Sequence, residues 1–301
     1  MMYTNPVWPK DFPDPFVIEW RKRFYAYATE TPPYRFQVLE SPDLVHWTHR
    51  GTAFTPPWAQ EHYWAPEVVA YRNRLYFLYS ALNPQTRKHD IAIAVGDHPV
   101  GPFQQSALLV RGDDNRVGVI DATIWFEAKV PYLIYSEEDP RRIVMRRMKD
   151  DLLGVEEEKV ELVRPDRDWE RGVTEAPTLI KRGRRYHLIY SAGWFQSNKQ
   201  DASYCVAHAV APKLTGPYVK TGQILTGDGK EVYGPGHQCY LKLRSGEEWL
   251  LYHGWDAQNE PRYGSNPLGR TLRLDRLEWS EDRPRVIVPS VTPLPAPRIV
   301  R

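Results

Sequence analysis

Apolar residues in this chain come in short, nearly continuous runs rather than at the three-to-four spacing of a helix face. The runs Pro15-Phe16-Val17-Ile18, Val68-Val69-Ala70-Tyr71, Ala122-Thr123-Ile124-Trp125 and Ala176-Pro177-Thr178-Leu179-Ile180 carry β-branched and aromatic members and predict strands. Each is opened by an acid, Asp14, Glu67, Asp121 or Glu175, and these acids lie 53, 54 and 54 positions apart. A fifth run, Gln238-Cys239-Tyr240-Leu241, follows Gly234-Pro235-Gly236-His237. Second strands are predicted at 25–27, 76–80, 132–136, 186–191 and 249–253, Tyr-rich segments that end in Tyr followed by a small or polar residue. Third strands are predicted at 35–38, 91–95, 143–147, 204–209 and 273–277. Turns at Ser41-Pro42-Asp43-Leu44, Gly101-Pro102-Phe103 and Gly216-Pro217-Tyr218 lead towards fourth strands.

Four strands per unit of about 40 to 50 residues is the signature of a propeller blade. The expected fold is therefore all-β, a five-bladed β-propeller of about four antiparallel strands per blade, with blades starting near 14, 67, 121, 175 and 237. Helices fare badly, because 27 prolines and 19 glycines break most windows of a dozen residues. The best helical window, 148–160, is short and interrupted by Gly154. No linker-like stretch divides the repeat, so one domain over 1–301 is expected.

Composition removes several classes of function. Forty basic residues against 38 acidic ones leave a net charge of +2, which is not the balance of a polyanion binder. Arg141-Arg142 and Arg146-Arg147 read as a solvated strand edge, and no nucleic-acid partner is expected. No stretch approaches the ~18 apolar residues of a membrane span, and the N-terminal residues lack an export signal, so a cytoplasmic location is expected. Cys205 and Cys239 fall in predicted strands and read as buried thiols rather than a disulfide or metal site.

Repeated units around an axis gather the groups at their strand starts near one point. Carboxylates gathered in this way suggest acid–base chemistry. Sugars offer apolar CH faces fringed by hydroxyls, and 11 Trp with 18 Tyr provide rings to meet them. Trp64, just before the second inner strand, is the expected pocket wall, with Phe36, Trp125 and Trp194 as further ring candidates. His237 follows a glycine-rich turn whose permissive backbone can bring an imidazole to the axis.

The segments Asp11-Phe12-Pro13-Asp14-Pro15, Tyr63-Trp64-Ala65-Pro66-Glu67-Val68, Gly118-Val119-Ile120-Asp121-Ala122 and Thr174-Glu175-Ala176-Pro177 resemble, in order, the signatures of glycoside hydrolase family 43. Gly234-Pro235-Gly236-His237 and Tyr252-His253-Gly254-Trp255-Asp256 extend the likeness into the last unit. The resemblance implies a five-bladed propeller that hydrolyses arabinose- or xylose-containing oligosaccharides with inversion. It implies Asp14 as general base, Glu175 as general acid and Asp121 as the third carboxylate, which orients the acid and tunes its pKa. Glu67 then corresponds to a structural acid, and Arg270 to an arginine that bonds sugar hydroxyls or holds the base ionised. His237 would lie near the catalytic centre, in some members through a hydrated Ca2+ or other cation, although no required cofactor is expected. An α-L-arabinofuranosidase is the expected activity, with β-xylosidase, endo-arabinanase and a non-enzymatic carbohydrate-binding propeller as alternatives.

Overall fold

The computed structural model describes residues 1–114, 116–195, 202–256, 269–286 and 292–300. Five antiparallel sheets form the five blades of a β-propeller. Blade I comprises Phe16–Trp20, Arg23–Tyr27, Phe36–Ser41 and Thr48–Phe54, and blade II Trp64–Tyr71, Arg74–Leu82, His89–Gly96 and Phe103–Val110. Blade III comprises Val119–Glu127, Val130–Glu138, Arg141–Met148 and Val155–Val163, and blade IV Thr174–Arg182, Arg185–Ala192, Cys205–Ala211 and Val219–Leu225. First strands of neighbouring blades touch one another around the ring and so line the axis.

Blade V is closed by the beginning of the chain. Its first three strands are Val232–Lys242, Glu248–Asp256 and Thr271–Ser280, and the fourth place is taken by Trp8–Asp11, with Trp8 opposite Leu272 and Asp11 opposite Thr271. Arg283–Val286 pairs with the far end of Thr271–Ser280, and Met2–Tyr3 pairs with Leu294–Pro295. Trp8-Pro9-Lys10-Asp11 has no alternation of buried and exposed positions, which is why this strand carries no signal in the sequence.

The continuous apolar runs follow from the architecture, since a strand between two neighbouring blades is covered on both faces. Arg74–Leu82 and Arg185–Ala192 are buried at nearly every position, whereas the outer strand Thr48–Phe54 alternates for most of its length. Five apolar clusters fill the five gaps between blades, the one between V and I including Phe12, Leu39, Leu251 and Leu272. One tyrosine recurs in each second strand, Tyr27, Tyr79, Tyr135, Tyr190 and Tyr252, and all five are fully buried. Burial of a phenol requires a partner. Tyr27 donates to the carbonyl of Pro99, Tyr190 to Glu170 and Tyr252 to Asp275.

The window 148–160 forms no helix. Met148 ends a strand, Lys149 N–H donates to the carbonyl of Gly154 across a turn with Leu152 at φ 64°, and Val155–Val163 runs on as the outer strand. Both cysteines are buried free thiols. Among the described residues no helix is long and apolar enough to cross a membrane.

Phe36, a sequence candidate for the pocket, belongs instead to the core between blades I and II. It is wholly inaccessible and packs edge-on to Tyr63 at 5.9 Å and against Phe77 at 5.2 Å and Tyr79 at 5.5 Å. Phe36→Ala is expected to cost about 3–5 kcal/mol of stability by leaving a cavity, measured as a fall in the urea midpoint. A cost below about 1 kcal/mol would mean that the cluster collapses onto the gap.

Candidate active site

Every blade begins with the same backbone device. One residue per blade, Asp14, Ala65, Asp121, Ala176 and His237, takes a left-handed conformation with φ between 45° and 57°. In blades II to V it falls within a break in strand register, the mark of a β-bulge. Left-handed non-glycine residues are strained, and here all five are over-determined by the same kind of bond. Each donates its N–H to a side chain of the blade before it or, for Ala176, to a carboxylate of the preceding inner strand. Ala65 donates to Thr29 Oγ1 at 2.8 Å, Asp121 to Ser80 Oγ at 3.2 Å and Ala176 to Asp121 Oδ2 at 3.0 Å. His237 donates to Ser191 Oγ at 2.8 Å and Asp14 to His253 Nδ1 at 3.0 Å, which closes the circle.

This ring corrects the register read from the acids. Asp14 and Asp121 occupy the left-handed position, Glu175 the residue before it and Glu67 the second residue after its counterpart Ala65. The near-equal spacing of the four acids therefore conceals three different geometric places. Trp64, not Glu67, is the blade II counterpart of Glu175. Glu67 points into the interior with Oε2 unpartnered; burial pushes its carboxyl up to about 8, against a hydrogen bond from Thr123.

The ring opens into a cavity of about 640 Å³ at the propeller axis. Asp14, Asp121, Glu175, Trp64, Trp194, His237 and Arg270 all line it, as do the unanticipated Glu138, Arg141 and Tyr204. Trp125 does not reach it; its ring packs beside the core between blades III and IV and its Nε1 donates to Glu127 at 3.2 Å. With Phe36 this makes two ring candidates that belong to packing between blades. Both lie within strands, where alternation turns a side chain sideways into a gap. Trp64 and Trp194 lie at a strand start and in a loop, where rings can face the axis.

Asp14 is surrounded by donors. Arg270 Nη1 lies 3.0 Å from Oδ1, His237 Nδ1 3.3 Å from the same oxygen, and Thr29 Oγ1 donates to Oδ2 at 2.5 Å. Burial alone would raise its pKa, but the Arg270 guanidinium, with His237, holds it well below the usual carboxylate range. His253 accepts the Asp14 N–H at Nδ1, so its proton sits on Nε2 and the ring is neutral. Burial and the Arg270 charge push its pKa down to about 4. Arg270 is itself held by its N–H to Asp11 Oδ1 at 2.8 Å, in the strand that closes blade V.

Glu175 has the opposite surroundings. Burial raises its pKa, the Arg141 charge and the Tyr204 hydroxyl oppose that, and Asp14 and Glu138 raise it further. Asp121 is raised well above its ordinary value by burial and then by the Glu175 charge, so the two buried carboxyls hold a proton between them more tightly than either would alone. Tyr204 donates to Glu175 Oε1 at 2.8 Å and lies parallel to His253 at 5.7 Å. A Cβ at Gly236 would come within 2.2 Å of the Tyr204 ring, so the glycine is what lets this phenol lie over the acid. Asp121 reaches the acid indirectly, by fixing the N–H of Ala176, the next residue in the chain.

A cation beside His237 would find one imidazole and an Asp14 already held by Arg270. Among the described residues no group of three or more His, Cys, Asp or Glu is arranged to hold a metal. Hard cations take six or more oxygens, so these residues alone do not fit a resident ion.

The sequence passed over Thr29, Arg141, Tyr204 and His253. For His253 a signal existed: the residue after each second-strand tyrosine, Ala28, Ser80, Ser136, Ser191 and His253, is small or polar, and three of the five accept a bond in the ring. Arg141 and Arg142 are neighbours in the chain but point in opposite directions. The strand Arg141–Met148 is paired on both sides, so it is no solvated edge: Arg142 is held by Glu137 and Glu161, while Arg141 turns the other way into the cavity.

Known proteins resemble this one along most of its length. A solved structure described as a thermostable family-43 glycoside hydrolase superposes with a TM-score of 0.87 and 31% identity, covering 98% of this chain and 99% of that one. A beta-D-galactofuranosidase of Aspergillus niger is 24% identical over 83% of this chain and 75% of its own. A xylosidase/arabinosidase of Bacteroides ovatus is 24% identical over 75% and 73%. The family description "Glycosyl hydrolases family 43" matches residues 3–284, and the chain belongs to glycoside hydrolase family 43.

Proposed function

We propose that the protein is an inverting exo-acting α-L-arabinofuranosidase in which Asp14 is the general base and Glu175 the general acid. The observation that carries this reading is that one cavity holds two carboxyl groups with opposed environments, Asp14 kept ionised by Arg270 and Glu175 drawn towards protonation by burial. Inversion needs that division of labour. Asp14 takes a proton from a water on one face of the sugar, that oxygen bonds to the anomeric carbon, and Glu175 gives its proton to the departing glycosidic oxygen. The water fits between base and sugar when the carboxyls are about 6.5 to 9.5 Å apart. Asp121 is a positioning residue that raises the proton affinity of the acid and fixes the backbone beside it. Trp64 supplies an apolar wall for the sugar.

The choice of arabinofuranose rests on ring stereochemistry. α-L-Arabinofuranose and β-D-galactofuranose share configuration around the ring and differ in the exocyclic arm, so the likeness to a galactofuranosidase supports a furanoside pocket. The likeness to a xylosidase/arabinosidase supports β-xylosidase as the second reading. The deciding assay compares p-nitrophenol release from the α-L-arabinofuranoside and the β-D-xylopyranoside, with the first-formed anomer from an oligosaccharide followed by NMR. The arabinofuranoside is expected to be preferred, with inversion. Preference for the xyloside transfers the assignment, retention removes the single-displacement mechanism, and inactivity on both directs attention to linear arabinan and then to a binding role.

No ion enters this mechanism. Exhaustive EDTA treatment is expected to leave turnover and melting temperature unchanged. A loss restored by Ca2+ would place a hydrated cation beside His237.

A further inference from the structure

Glu175 is occupied on both oxygens. Tyr204, buried and stacked, holds Oε1, while Arg141 Nη1 donates to Oε2 at 2.7 Å. Oε2 is thus the oxygen left to carry a proton to a leaving group, and a guanidinium covers it. Arg141 is the more exposed partner of the two: its side chain is 26% exposed, whereas Tyr204 is 2% exposed, and its guanidinium lies 5.5 Å from the ring of Trp194, which is 42% exposed. An exposed indole beside the acid is a platform for the apolar face of a sugar. The guanidinium beside it is a fork for neighbouring hydroxyls.

We propose that Arg141 guards Glu175 and is drawn off by the substrate: the sugar of the leaving group settles on Trp194, its hydroxyls take over the Arg141 N–H groups, and Oε2 is freed to hold the catalytic proton. Arg141 and Trp194 together then form the leaving-group subsite, selective for a saccharide with a flat CH face and vicinal hydroxyls. This rests on the reading of Glu175 as the acid. The groups facing Glu175 are Asp14 from blade I, Asp121, Glu138 and Arg141 from blade III, and Tyr204 beside blade IV. Of these Arg141 is the cation and the first to oppose protonation. No covalent step is added. The proton that Glu175 delivers is taken up from solvent once the guanidinium has moved, and the guanidinium returns when the product leaves.

The test is Arg141→Gln, with Arg141→Lys beside it. Carboxyl infrared difference spectra against Glu175→Gln follow the proton on Glu175 without any substrate. Loss of a neighbouring cation favours the neutral acid, so the titration midpoint in Arg141→Gln is expected about one pH unit or more above wild type, with Arg141→Lys returning it part of the way. Equal midpoints overturn the guard. On arabinotriose or xylotriose, whichever is cleaved, the alkaline limb of kcat/KM should rise with that midpoint, because it reports the free enzyme. The limb of kcat should stay, because in the complex Arg141 has already left, and KM should rise about tenfold with the lost subsite. A kcat limb that moves equally keeps Arg141 on the acid throughout and overturns displacement, and an unchanged KM overturns the subsite. Failure of the acid assignment itself shows separately, as undiminished trisaccharide hydrolysis by Glu175→Gln.

Discussion

Asp14→Asn is expected to lower kcat by about four orders of magnitude, the upper end of what a positioned base contributes, on oligosaccharides and aryl glycosides alike. The attacking water must lose a proton whatever group departs, so a better leaving group brings no relief. The site offers no substitute, because His237 and His253 both have pKa values lowered by burial and both face the Arg270 charge. The carboxamide also misreads its neighbours. Thr29 and Arg270 aim donors at the two Asp14 oxygens, and one of those oxygens would become an NH2. Added azide, which needs no deprotonation, should restore turnover and yield a glycosyl azide of inverted configuration. A variant retaining more than about one-hundredth of wild-type kcat would remove Asp14 from the role of base.

Glu175→Gln separates leaving groups instead. A sugar alkoxide is a poor leaving group and needs the proton, so hydrolysis of a trisaccharide should fall about 10³-fold. A nitrophenolate leaves without help, so release from the aryl glycoside should fall far less, and the ratio of the two losses is the diagnostic quantity. The pH dependence follows from the same two environments. The proposed mechanism needs Asp14 ionised and Glu175 protonated, so activity is expected to be lost as pH falls through the depressed pKa of Asp14 and as pH rises through the raised pKa of Glu175. Both limbs move outward and the active window is wider than two ordinary carboxyls would allow. An alkaline limb unmoved by Asp121→Asn would show that Asp121 does not tune the acid.

Much of the fold was legible because a blade covered on both faces writes its strands as continuous apolar runs. The five second-strand tyrosines are the clearest case, since Tyr27, Tyr79, Tyr135, Tyr190 and Tyr252 are all fully buried. Asp14, Asp121, Glu175, His237 and Arg270 were legible as one group because the repeat sends strand starts to the axis, where all five line the cavity. What failed was resolution at the level of single residues. A bulge adds a residue without changing composition, so the places of Glu67 and Ala65 could not be told apart by spacing. Phe36 and Trp125 were misassigned because the same aromatic composition serves the gaps between blades and the cavity. Trp8–Asp11 was invisible because an edge strand held by two cross-strand pairs needs no apolar pattern.

The closing strand also sets when a molecule becomes an enzyme. Arg270, His237 and His253, the three groups that surround Asp14, all come from blade V, and Arg270 is tied to the strand Trp8–Asp11 through Asp11. A chain emerging from the ribosome holds all three carboxylates by residue 175, long before those partners have been synthesised. Nascent molecules are expected to stay silent until the last blade captures the first strand. Activity in a translation-arrest series should appear in one step beyond residue 280, not grow with each completed blade.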